Sequence, residues 1–350
     1  MSEDKTKKFL EALTGIFKDY DKEILILIHN FPDPDAIASG IGMQAVLRLL
    51  DLKPGPVYYS GEISHPQNRS LVTLLNISVL NYEKEPFEDG LWGICVDMNG
   101  VGQDTNQPHI STQNVTVKAV VDHHKAKHSK DTLVDNRFVG ATSSIIWDYL
   151  KKLDYNFKTE EGATIATGLL VGLKTDTQEL VSDNTAKLDF EASQDLIHLS
   201  DKQKLVSIIN YPLPEYFFEL RQIANKEENK RFENSTLVSG LGVVSTAKRD
   251  ALPVIADEFL RMSSVQTSVV FAIIEDYIDI SVRSNNITID VGEFLKSIFG
   301  SGGGKRGAGR TRIPLGFFEL SNLDNVLKGE IWEIAKKIVM NKIMNNIKGE

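Results

Sequence analysis

Aspartate and histidine residues recur directly after apolar runs in the first half of the sequence. They are His29, Asp33 and Asp35 after the first run, Asp97 after the second, and Asp122, His123 and His124 after the third. Carboxylates supply negative charge and can bridge two cations, while imidazole adds affinity for Mn, Fe, Co or Zn over Mg. If these side chains meet in the folded chain, they form a site for divalent metal ions.

Any one of these residues, taken alone, is more often a helix cap or a turn residue than a metal ligand. The metal-site interpretation depends on their joint occurrence, because both histidine-containing motifs come directly after an apolar dipeptide. Prolines flank Asp33 and fix φ on both sides, so we expect His29, Asp33 and Asp35 to lie in an extended turn rather than in a helix. Asp35 then lies at the start of the next helix, where it can cap free amides. A further acidic residue, Asp176, follows a helix-like stretch.

The elements that must position these residues alternate between strands and helices. The predicted buried strands are residues 23–28, 91–96 and 117–121, and the predicted helices are residues 35–50, 141–153 and 160–173. Alternation at this spacing favours an α/β domain with a mainly parallel sheet. The carboxyl ends of such strands meet at one edge, which is where open α/β folds bind ligands.

The second half of the chain departs from this pattern. Helix-like stretches precede a smaller α/β module, which contains a glycine segment at 300–309. A length of 350 residues is too great for one compact core and fits two domains. We therefore predict a first domain over 1–190, a helical connection over 191–231 and a second domain over 232–350, with a ligand cleft between the domains.

The composition is that of a soluble globular protein, with 41% hydrophobic and 25% charged residues. The formal net charge of −9 argues against a general basic coat for duplex DNA or anionic membranes. The single cysteine, Cys95, excludes a disulfide framework and a zinc cluster built from cysteines. No window approaches the roughly 18 apolar residues of a membrane span, so we expect a cytoplasmic protein without a membrane partner.

These motifs resemble the DHH phosphoesterase family, in the branch with a DHH-associated C-terminal domain. That branch includes RecJ-like exonucleases, oligoribonucleases (nanoRNases) and phosphatases acting on 3′-phosphoadenosine 5′-phosphate. The resemblance covers nearly the whole chain and implies a parallel-sheet catalytic domain joined by helices to a smaller α/β substrate-binding domain. Its motifs are His29-x-x-x-Asp33-x-Asp35-Ala36, Val96-Asp97, Asp122-His123-His124, Thr175-Asp176-Thr177, Ser281-Val282-Arg283-Ser284 and the glycine segment.

The resemblance implies two divalent ions, most simply Mn²⁺, at the strand ends. The expected ligands are His29, Asp33 and Asp97 for one ion, and Asp35, Asp97, His123 and Asp176 for the other, with Asp97 bridging. Two such ions can activate a water and stabilise both the attacking and the leaving oxygen of a phosphoryl transfer. The resemblance also implies that Asp122 orients a histidine and that His124 contacts phosphate or protonates the leaving oxygen.

In the second domain the resemblance implies a substrate-binding set. The set comprises Arg283 and Ser284 of the strand motif, and Gly302, Gly303, Gly304 and Lys305 of the glycine segment. Glycine amides can approach phosphate oxygens closely, and arginine can bind phosphate through two hydrogen bonds. Lys305 stands where the family has a histidine, which bears on the substrate preference rather than on the metal chemistry.

The expected activity is Mn²⁺-dependent hydrolysis of short oligoribonucleotides, with 3′-phosphoadenosine 5′-phosphate as a second substrate. The expected partners are short single-stranded RNA, other oligonucleotides or small nucleotides, and the long C-terminal helix predicts domain packing or a homodimer contact. Three alternatives stay open. They are a cyclic dinucleotide phosphodiesterase, a pyrophosphatase or exopolyphosphatase, and a catalytically silent nucleotide-binding protein.

Overall fold

The computed structural model describes residues 4–99, 114–124, 132–286, 288–305, 307–316 and 318–348. The chain forms two compact units, Met1–Tyr211 and Pro212–Glu350. The segment 191–231, predicted as a helical connection, is divided between these units. Within the described ranges, no helix is both long enough and apolar enough to cross a lipid bilayer.

The first unit is built on a six-stranded sheet in which each recorded strand pairing is parallel. The strands are β1 (Ile24–Leu27), β2 (Pro54–Tyr59), β3 (Val79–Asn81), β4 (Leu91–Val96), β5 (Val115–Asp122) and β6 (Leu133–Asn136). Their order across the sheet is β3-β2-β1-β4-β5-β6. The order reverses between β1 and β4, and open α/β sheets form a ligand crevice at such a point. The parallel-sheet prediction is confirmed.

Helices cover this sheet and supply most of its core. They are α1 (Lys5–Phe17), α2 (Pro34–Leu49), α3 (Pro66–Leu74), α4 (Thr142–Lys152), α5 (Glu160–Asp176), α6 (Lys187–Leu199) and α7 (Lys202–Ile209). Ile26 of β1, Val46 of α2, Ile145 of α4 and Leu169 of α5 are completely buried in one apolar cluster. This cluster fixes the starts of α2 and α4 and the end of α5 against the sheet, so polar side chains there are held in place.

The start of α2 differs from the prediction. Asp33 is the N-cap in an extended conformation, and its carboxylate accepts a hydrogen bond from the Ala36 amide at 3.0 Å. Pro34 occupies the first helical position, where its missing N–H leaves no partner unsatisfied. Asp35 therefore lies inside the first turn, and the prediction of an extended turn through Asp35 was wrong. Similarly, α5 continues beyond the predicted end and includes Asp176 as its last residue.

The second unit contains a mixed sheet of order β11-β12-β10-β9-β8-β7, in which β8 and β9 pair in parallel. Its strands are β7 (Lys230–Glu233), β8 (Thr236–Val243), β9 (Thr267–Ile274), β10 (Tyr277–Ser284), β11 (Gly303–Lys305) and β12 (Ala308–Pro314). Its helices are α8 (Glu215–Asn225), α9 (Ala251–Phe259), α10 (Val291–Phe299) and α11 (Asn325–Lys348). One sheet face packs on α10 and α11 around Phe271 and Trp332, and part of the other packs on α8 and α9.

The glycine segment at 300–309, predicted as a loop, contributes to two paired strands. Gly303 faces Arg310 and Gly304 faces Gly309 across the antiparallel pair β11–β12. A methyl group on Gly304 would lie 2.3 Å from the carbonyl oxygen of Ala308, so the hairpin closes only because this position is glycine. The loop prediction was wrong here because composition alone does not reveal cross-strand pairing.

Candidate metal centre

The crevice at the strand-order reversal begins with His29, which closely follows β1. Its Nδ1 lies 2.9 Å from the carbonyl oxygen of Asn30, and a carbonyl can only accept, so Nδ1 carries the proton. Nε2 is then free to bind a metal, and it lies 3.7 Å from Asp33 Oδ1 and 3.7 Å from Asp97 Oδ2. A carbonyl that fixes the tautomer in this way is a common support of metal-binding histidines.

Asp97 follows β4 and lies between two imidazole rings. Its Oδ2 faces His29, and its Oδ1 lies 3.5 Å from Nε2 of His123. Asp97 is 2% exposed and adopts a left-handed backbone conformation with φ of 56°, a region that aspartate and asparagine tolerate better than most residues. A carboxylate whose two oxygens face two different histidines is suited to bridge two cations.

His123 follows β5 and presents its Nε2 to the same crevice. Its Nδ1 lies 3.1 Å from the Val139 carbonyl oxygen, which again places the proton on Nδ1. Its Nε2 lies 3.1 Å from Asp176 Oδ2 and 3.5 Å from Asp97 Oδ1. An imidazole nitrogen that faces two carboxylates in this way fits a metal ion as the partner of all three side chains.

Three groups of donor atoms result, and within each group the atoms lie within 4.8 Å of one another. The groups are Asp97, His123 and His124; His29, Asp33 and Asp97; and Asp35, His123 and Asp176. The structure thus brings all six predicted metal ligands to one edge of the sheet. Imidazole nitrogens and carboxylate oxygens form a donor set that suits divalent ions such as Mn²⁺.

The N-terminus of α4 holds this cluster from one side, a contribution that sequence analysis missed. The amides of Thr142 and Ser143 donate to the two carboxylate oxygens of Asp35 at 2.7 and 2.8 Å. The Thr142 hydroxyl also donates to Asp97 Oδ1 at 2.8 Å. The positive end of the helix dipole therefore lies where the carboxylates crowd together. A run of small residues at 140–144 is the signal in the sequence for such a close approach.

Two further residues position the cluster without facing it. Asp189 is fully buried, and its carboxylate accepts hydrogen bonds from the Gly140 amide at 2.7 Å and the Ser144 hydroxyl at 2.6 Å, on either side of Thr142. A methyl group on Gly172 would lie 2.7 Å from the Cα of Asp35, so only glycine lets α5 approach α2 this closely. Asp176 follows Gly172 by four residues and shares its helix face.

The predicted catalytic pair is formed by Asp122 and His124. Nδ1 of His124 lies 2.8 Å from Oδ1 of Asp122, which also accepts the His123 amide at 2.9 Å. Asp122 is fully buried, whereas the His124 side chain is 39% exposed. A carboxylate oxygen accepts hydrogen bonds, so Nδ1 of His124 is the donor in this contact. Nε2 of His124 is then available to contact a substrate.

Burial and charge act in opposite directions on the two metal-facing histidines. Burial lowers the pKa of His29, but the Asp33 carboxylate and then Asp97 outweigh it and raise that pKa to about 10. Burial likewise lowers the pKa of His123, but Asp176, Asp35 and Asp97 raise it to about 10. Both rings therefore bind protons in the metal-free protein at neutral pH.

The pKa values of two buried carboxylates in the cluster, Asp97 and Asp35, are raised. Burial and then the charge of Asp33 raise the pKa of Asp97 to about 6. Burial, followed by the charges of Asp97 and Asp176, raises the pKa of Asp35 well above its usual range. Negative charge is thus crowded at this edge, and cations relieve the crowding. In the absence of metal, protons supply part of that positive charge.

Proton release on metal binding is the expected consequence. At pH 7 the rings of His29 and His123 are protonated, because 7 lies below their pKa values of about 10, and a metal binds only the deprotonated Nε2. The Mn²⁺ affinity is therefore expected to rise with pH from about 6 to about 8, by about tenfold per pH unit for each proton released. Titration calorimetry in two buffers of different ionisation enthalpy measures this release, and equal apparent enthalpies would contradict it.

The Thr142→Val variant tests the support from α4. Valine keeps the branched shape of Thr142 but removes the hydroxyl that donates to Asp97 at 2.8 Å. Loss of such an outer-shell hydrogen bond is expected to lower the Mn²⁺ affinity by about 10- to 100-fold. The matched control is Thr14→Val, which removes a hydroxyl bonded to Leu10 within α1. If both variants bind Mn²⁺ as the wild type does, Thr142 does not position Asp97.

The second unit brings together part of the predicted substrate set. Arg283, Gly303 and Gly304 line one pocket of about 390 Å³. Ser284 does not line it, because its hydroxyl lies 2.9 Å from Thr267 Oγ1 and accepts the Asn286 amide.

The two remaining members of the set contribute backbone to the same hairpin region. Gly302 has a φ of 147°, and a methyl group there would lie 2.6 Å from the Cβ of Leu295, so glycine is required for backbone reasons. Lys305 is the last residue of β11, and its side chain lies outside the part of the chain that the structure describes.

A parallel α/β sheet with imidazoles and carboxylates at its switch point defines a protein built to bind divalent metal ions. Residues 23–173 match the model of the DHH family, N-terminal domain. This region is therefore a DHH-family N-terminal domain, and the resemblance seen in the motifs is confirmed. The matched region contains every residue of the three donor groups except Asp176.

The chain is also similar to a curated protein in sequence and to a solved structure in fold. An uncharacterized protein of Methanocaldococcus jannaschii is 32% identical over 323 residues, which cover 91% of this chain and 64% of that protein. The chain thus spans only 64% of the length of this curated relative. The crystal structure of an exopolyphosphatase-related protein from Bacteroides fragilis aligns with a TM-score of 0.65 at 16% identity, covering 95% of this chain and 96% of the other. At this identity the likeness concerns the fold.

Proposed function

We propose that this protein is a metal-dependent phosphoesterase that hydrolyses short oligoribonucleotides with two Mn²⁺ ions. The observation that carries the proposal is the overlap of the three donor groups: the group with His124 shares Asp97 with the His29 group and His123 with the Asp35 group. A shared carboxylate between two donor sets is the arrangement that a two-metal site requires. Imidazole at two positions favours Mn²⁺ over Mg²⁺, which prefers an oxygen-only environment.

When bound, the two ions would supply charge to the phosphoryl oxygens and activate a water as the nucleophile. The residues of the chain have separate tasks in this scheme. His29 and Asp33 would hold one ion, Asp35, His123 and Asp176 would hold the other, and Asp97 would serve both. With both ring nitrogens protonated, His124 would give the Nε2 proton to the leaving oxygen and keep the Nδ1 proton, which the Asp122 carboxylate accepts at 2.8 Å and which holds the ring in place.

Short nucleotides are favoured as substrates by the second unit. Its pocket combines Arg283 and glycine backbone with an apolar side formed by Leu252 and Pro253. Arginine and glycine amides suit phosphate, and an apolar side suits a nucleoside. Long single strands generally need an extended basic groove, which the net charge of −9 does not favour. 3′-Phosphoadenosine 5′-phosphate has the same components and is the second proposed substrate.

A parallel assay tests the proposal. Purified protein with Mn²⁺ is offered a diribonucleotide, 3′-phosphoadenosine 5′-phosphate, a cyclic dinucleotide and pyrophosphate. The proposal expects the diribonucleotide to be hydrolysed with the highest kcat/KM. Preference for the cyclic dinucleotide or for pyrophosphate would assign the chain to one of those reactions instead. Binding of nucleotides without turnover of any substrate would favour the catalytically silent alternative.

A further inference from the structure

Phe31 lies between two of the predicted metal ligands and has an unusual backbone conformation. It is two residues from His29 and two from Asp33, and its φ is 52°. This left-handed conformation is uncommon for residues other than glycine and is an outlier for a bulky side chain. Outliers of this kind persist where the surrounding structure holds them, and they are concentrated at functional sites. The role of the Phe31 side chain therefore needs an explanation.

Hydrogen bonds from two neighbouring elements hold the turn that contains Phe31. The Phe31 amide donates to the carbonyl oxygen of Ser60 at 2.9 Å, which ties it to the segment after β2. The side-chain amide of Asn68, a buried residue of α3, donates to the carbonyl oxygen of Pro32 at 3.0 Å. The turn between β1 and α2 is thus fixed on both sides of Phe31, and its ring has a defined place at the metal-binding edge of the sheet.

The Phe31 ring lies with one face on the backbone of Gly61. A methyl group on Gly61 would be 2.7 Å from Cε1 of the ring and 2.8 Å from both Cδ1 and Cζ. A group that approaches the edge of a ring is distinctly closer to one carbon than to its two neighbours, so these nearly equal distances indicate an approach to the face. Gly61 also has a φ of 75°, and glycine at this position therefore serves both the turn and the ring contact.

The exposed area of the ring lies away from Gly61. Phe31 is 40% exposed although Gly61 covers one face of its ring, so the opposite face is turned toward solvent. A single exposed apolar side chain is ordinary in itself. Phe31, however, combines exposure with a left-handed backbone and with a position between two predicted metal ligands. Burial of the ring does not account for this combination, whereas contact with a ligand at the metal centre does.

We propose that the open face of Phe31 stacks on the nucleobase of the nucleotide whose phosphate binds at the metal centre. The Cα of Phe31 is within about 7.6 Å of the Cα atoms of His29 and Asp33, since consecutive Cα atoms are 3.8 Å apart. This reach is comparable with the separation of phosphate and base within one nucleotide. Aromatic side chains stack on every base, and purines offer the larger area. The inference rests on the proposed function and names a specificity residue, which selects substrates with a base and purines over pyrimidines.

The experiment compares adenosine 5′-monophosphate with ribose 5-phosphate, which has the same sugar and phosphate but no base. Calorimetry with Mn²⁺ present should show that the wild type binds the nucleotide about 5- to 150-fold more tightly, the range for one base stacked on an aromatic side chain. Phe31→Asn removes the ring and suits the left-handed backbone. It should lose this difference and keep the wild-type affinities for Mn²⁺ and ribose 5-phosphate. Phe31→Tyr keeps a flat ring and should retain the difference.

Hydrolysis of diribonucleotides gives a second readout. The wild type should have a lower KM for a diadenylate than for a diuridylate, and this preference should shrink in Phe31→Asn. The matched control is Phe232→Asn, which removes an exposed phenylalanine from β7 of the second unit and should keep the preference. If Phe31→Asn does not fold, Phe31→Leu decides, because leucine keeps apolar bulk on Gly61 but has no flat face to offer a base.

The two measurements separate this inference from the proposed function. If the wild type hydrolyses no diribonucleotide but binds the nucleotide more tightly through Phe31, the proposed function has failed and the stacking assignment stands. If it hydrolyses diribonucleotides and the Phe31 variants retain the wild-type difference in affinity, only the stacking assignment is overturned. Equal affinities of the wild type for the two ligands would also overturn it. Loss of Mn²⁺ affinity in Phe31→Asn would assign Phe31 to support of the metal centre instead.

Discussion

The Asp97→Asn variant is expected to lose hydrolysis of a diribonucleotide by about four orders of magnitude with Mn²⁺ present. The oxygens of Asp97 face His29 at 3.7 Å and His123 at 3.5 Å. An asparagine amide carries no negative charge and has one oxygen, so it cannot serve two cations at once. Loss of a metal removes several kcal/mol of transition-state stabilisation, and about 5.5 kcal/mol corresponds to a factor of 10⁴. Bound Mn²⁺, measured by elemental analysis, should fall in parallel.

Asparagine is a better replacement than alanine because of the backbone at this position. The φ of Asp97 is 56°, and a left-handed conformation costs an ordinary residue roughly 1–2 kcal/mol, whereas asparagine adopts it readily. The Thr142 hydroxyl can also donate to the new amide oxygen as it donates to Asp97. Alanine would therefore combine a folding defect with the loss of metal.

The matched control is Asp195→Asn, which removes the same charge from a surface ion pair with Lys151 in the first unit. Exposed pairs contribute little to stability, so this variant should retain both Mn²⁺ and activity. The metal-free Asp97→Asn protein should melt close to the wild-type temperature, which shows that the fold is intact. Full Mn²⁺ content and turnover in Asp97→Asn would exclude Asp97 as the bridging ligand.

The strands of the first unit could be predicted because their physical requirements are local. A strand buried on both faces needs a continuous apolar run, and Ile24–Leu27 and Leu91–Val96 are such runs. The edge strands Val79–Asn81 and Leu133–Asn136 are short and only partly buried, so the sequence carries no comparable pattern for them. The glycine segment shows the reverse error, since a composition typical of loops forms a hairpin.

The metal-facing residues could be predicted for a related reason. Asp97 and His123 come directly after strands and His29 two residues after one, and parallel strands bring their carboxyl ends to one edge. The residues that support them depend instead on helix packing. Thr142 and Gly172 meet Asp35 only because α4 and α5 both pack on α2, across more than 100 residues of sequence. The spacing of residues in the sequence does not reveal such a contact.

The same distinction applies in the second unit. Arg283 lies in a recognisable strand motif, and the structure places it in the pocket. Arg249 and Arg310 have no motif, and they join the pocket through the buried carboxylate of Asp279. A charged residue that looks like a solvated surface group in the sequence can therefore belong to a binding site, when a strand pairing turns it toward a buried partner.

The His124→Asn variant is expected to lower kcat for a diribonucleotide by about 10²- to 10⁴-fold without loss of Mn²⁺. Asparagine places its amide nitrogen near the position of Nδ1, which lies 2.8 Å from Asp122 Oδ1 in the wild type. The variant can therefore still donate a hydrogen bond to Asp122. It has no group at the Nε2 position, so only the proton donor is removed. The range is that of general acid catalysis by a positioned side chain. Asp122→Asn should lower kcat by a smaller factor, because the ring remains present but loses its charged partner.

The leaving group of the substrate decides whether His124 acts as this acid. A ribose alkoxide needs a proton to leave, whereas a p-nitrophenolate leaves without one. The defect of His124→Asn should therefore shrink strongly when the diribonucleotide is replaced by a p-nitrophenyl phosphodiester. His124 also belongs to a donor group with Asp97 and His123. Loss of Mn²⁺ in the variant would therefore indicate that His124 is a metal ligand rather than a proton donor. An equal defect on both substrates, with Mn²⁺ retained, would exclude proton donation and assign His124 to phosphate binding, because that contact does not depend on the leaving group.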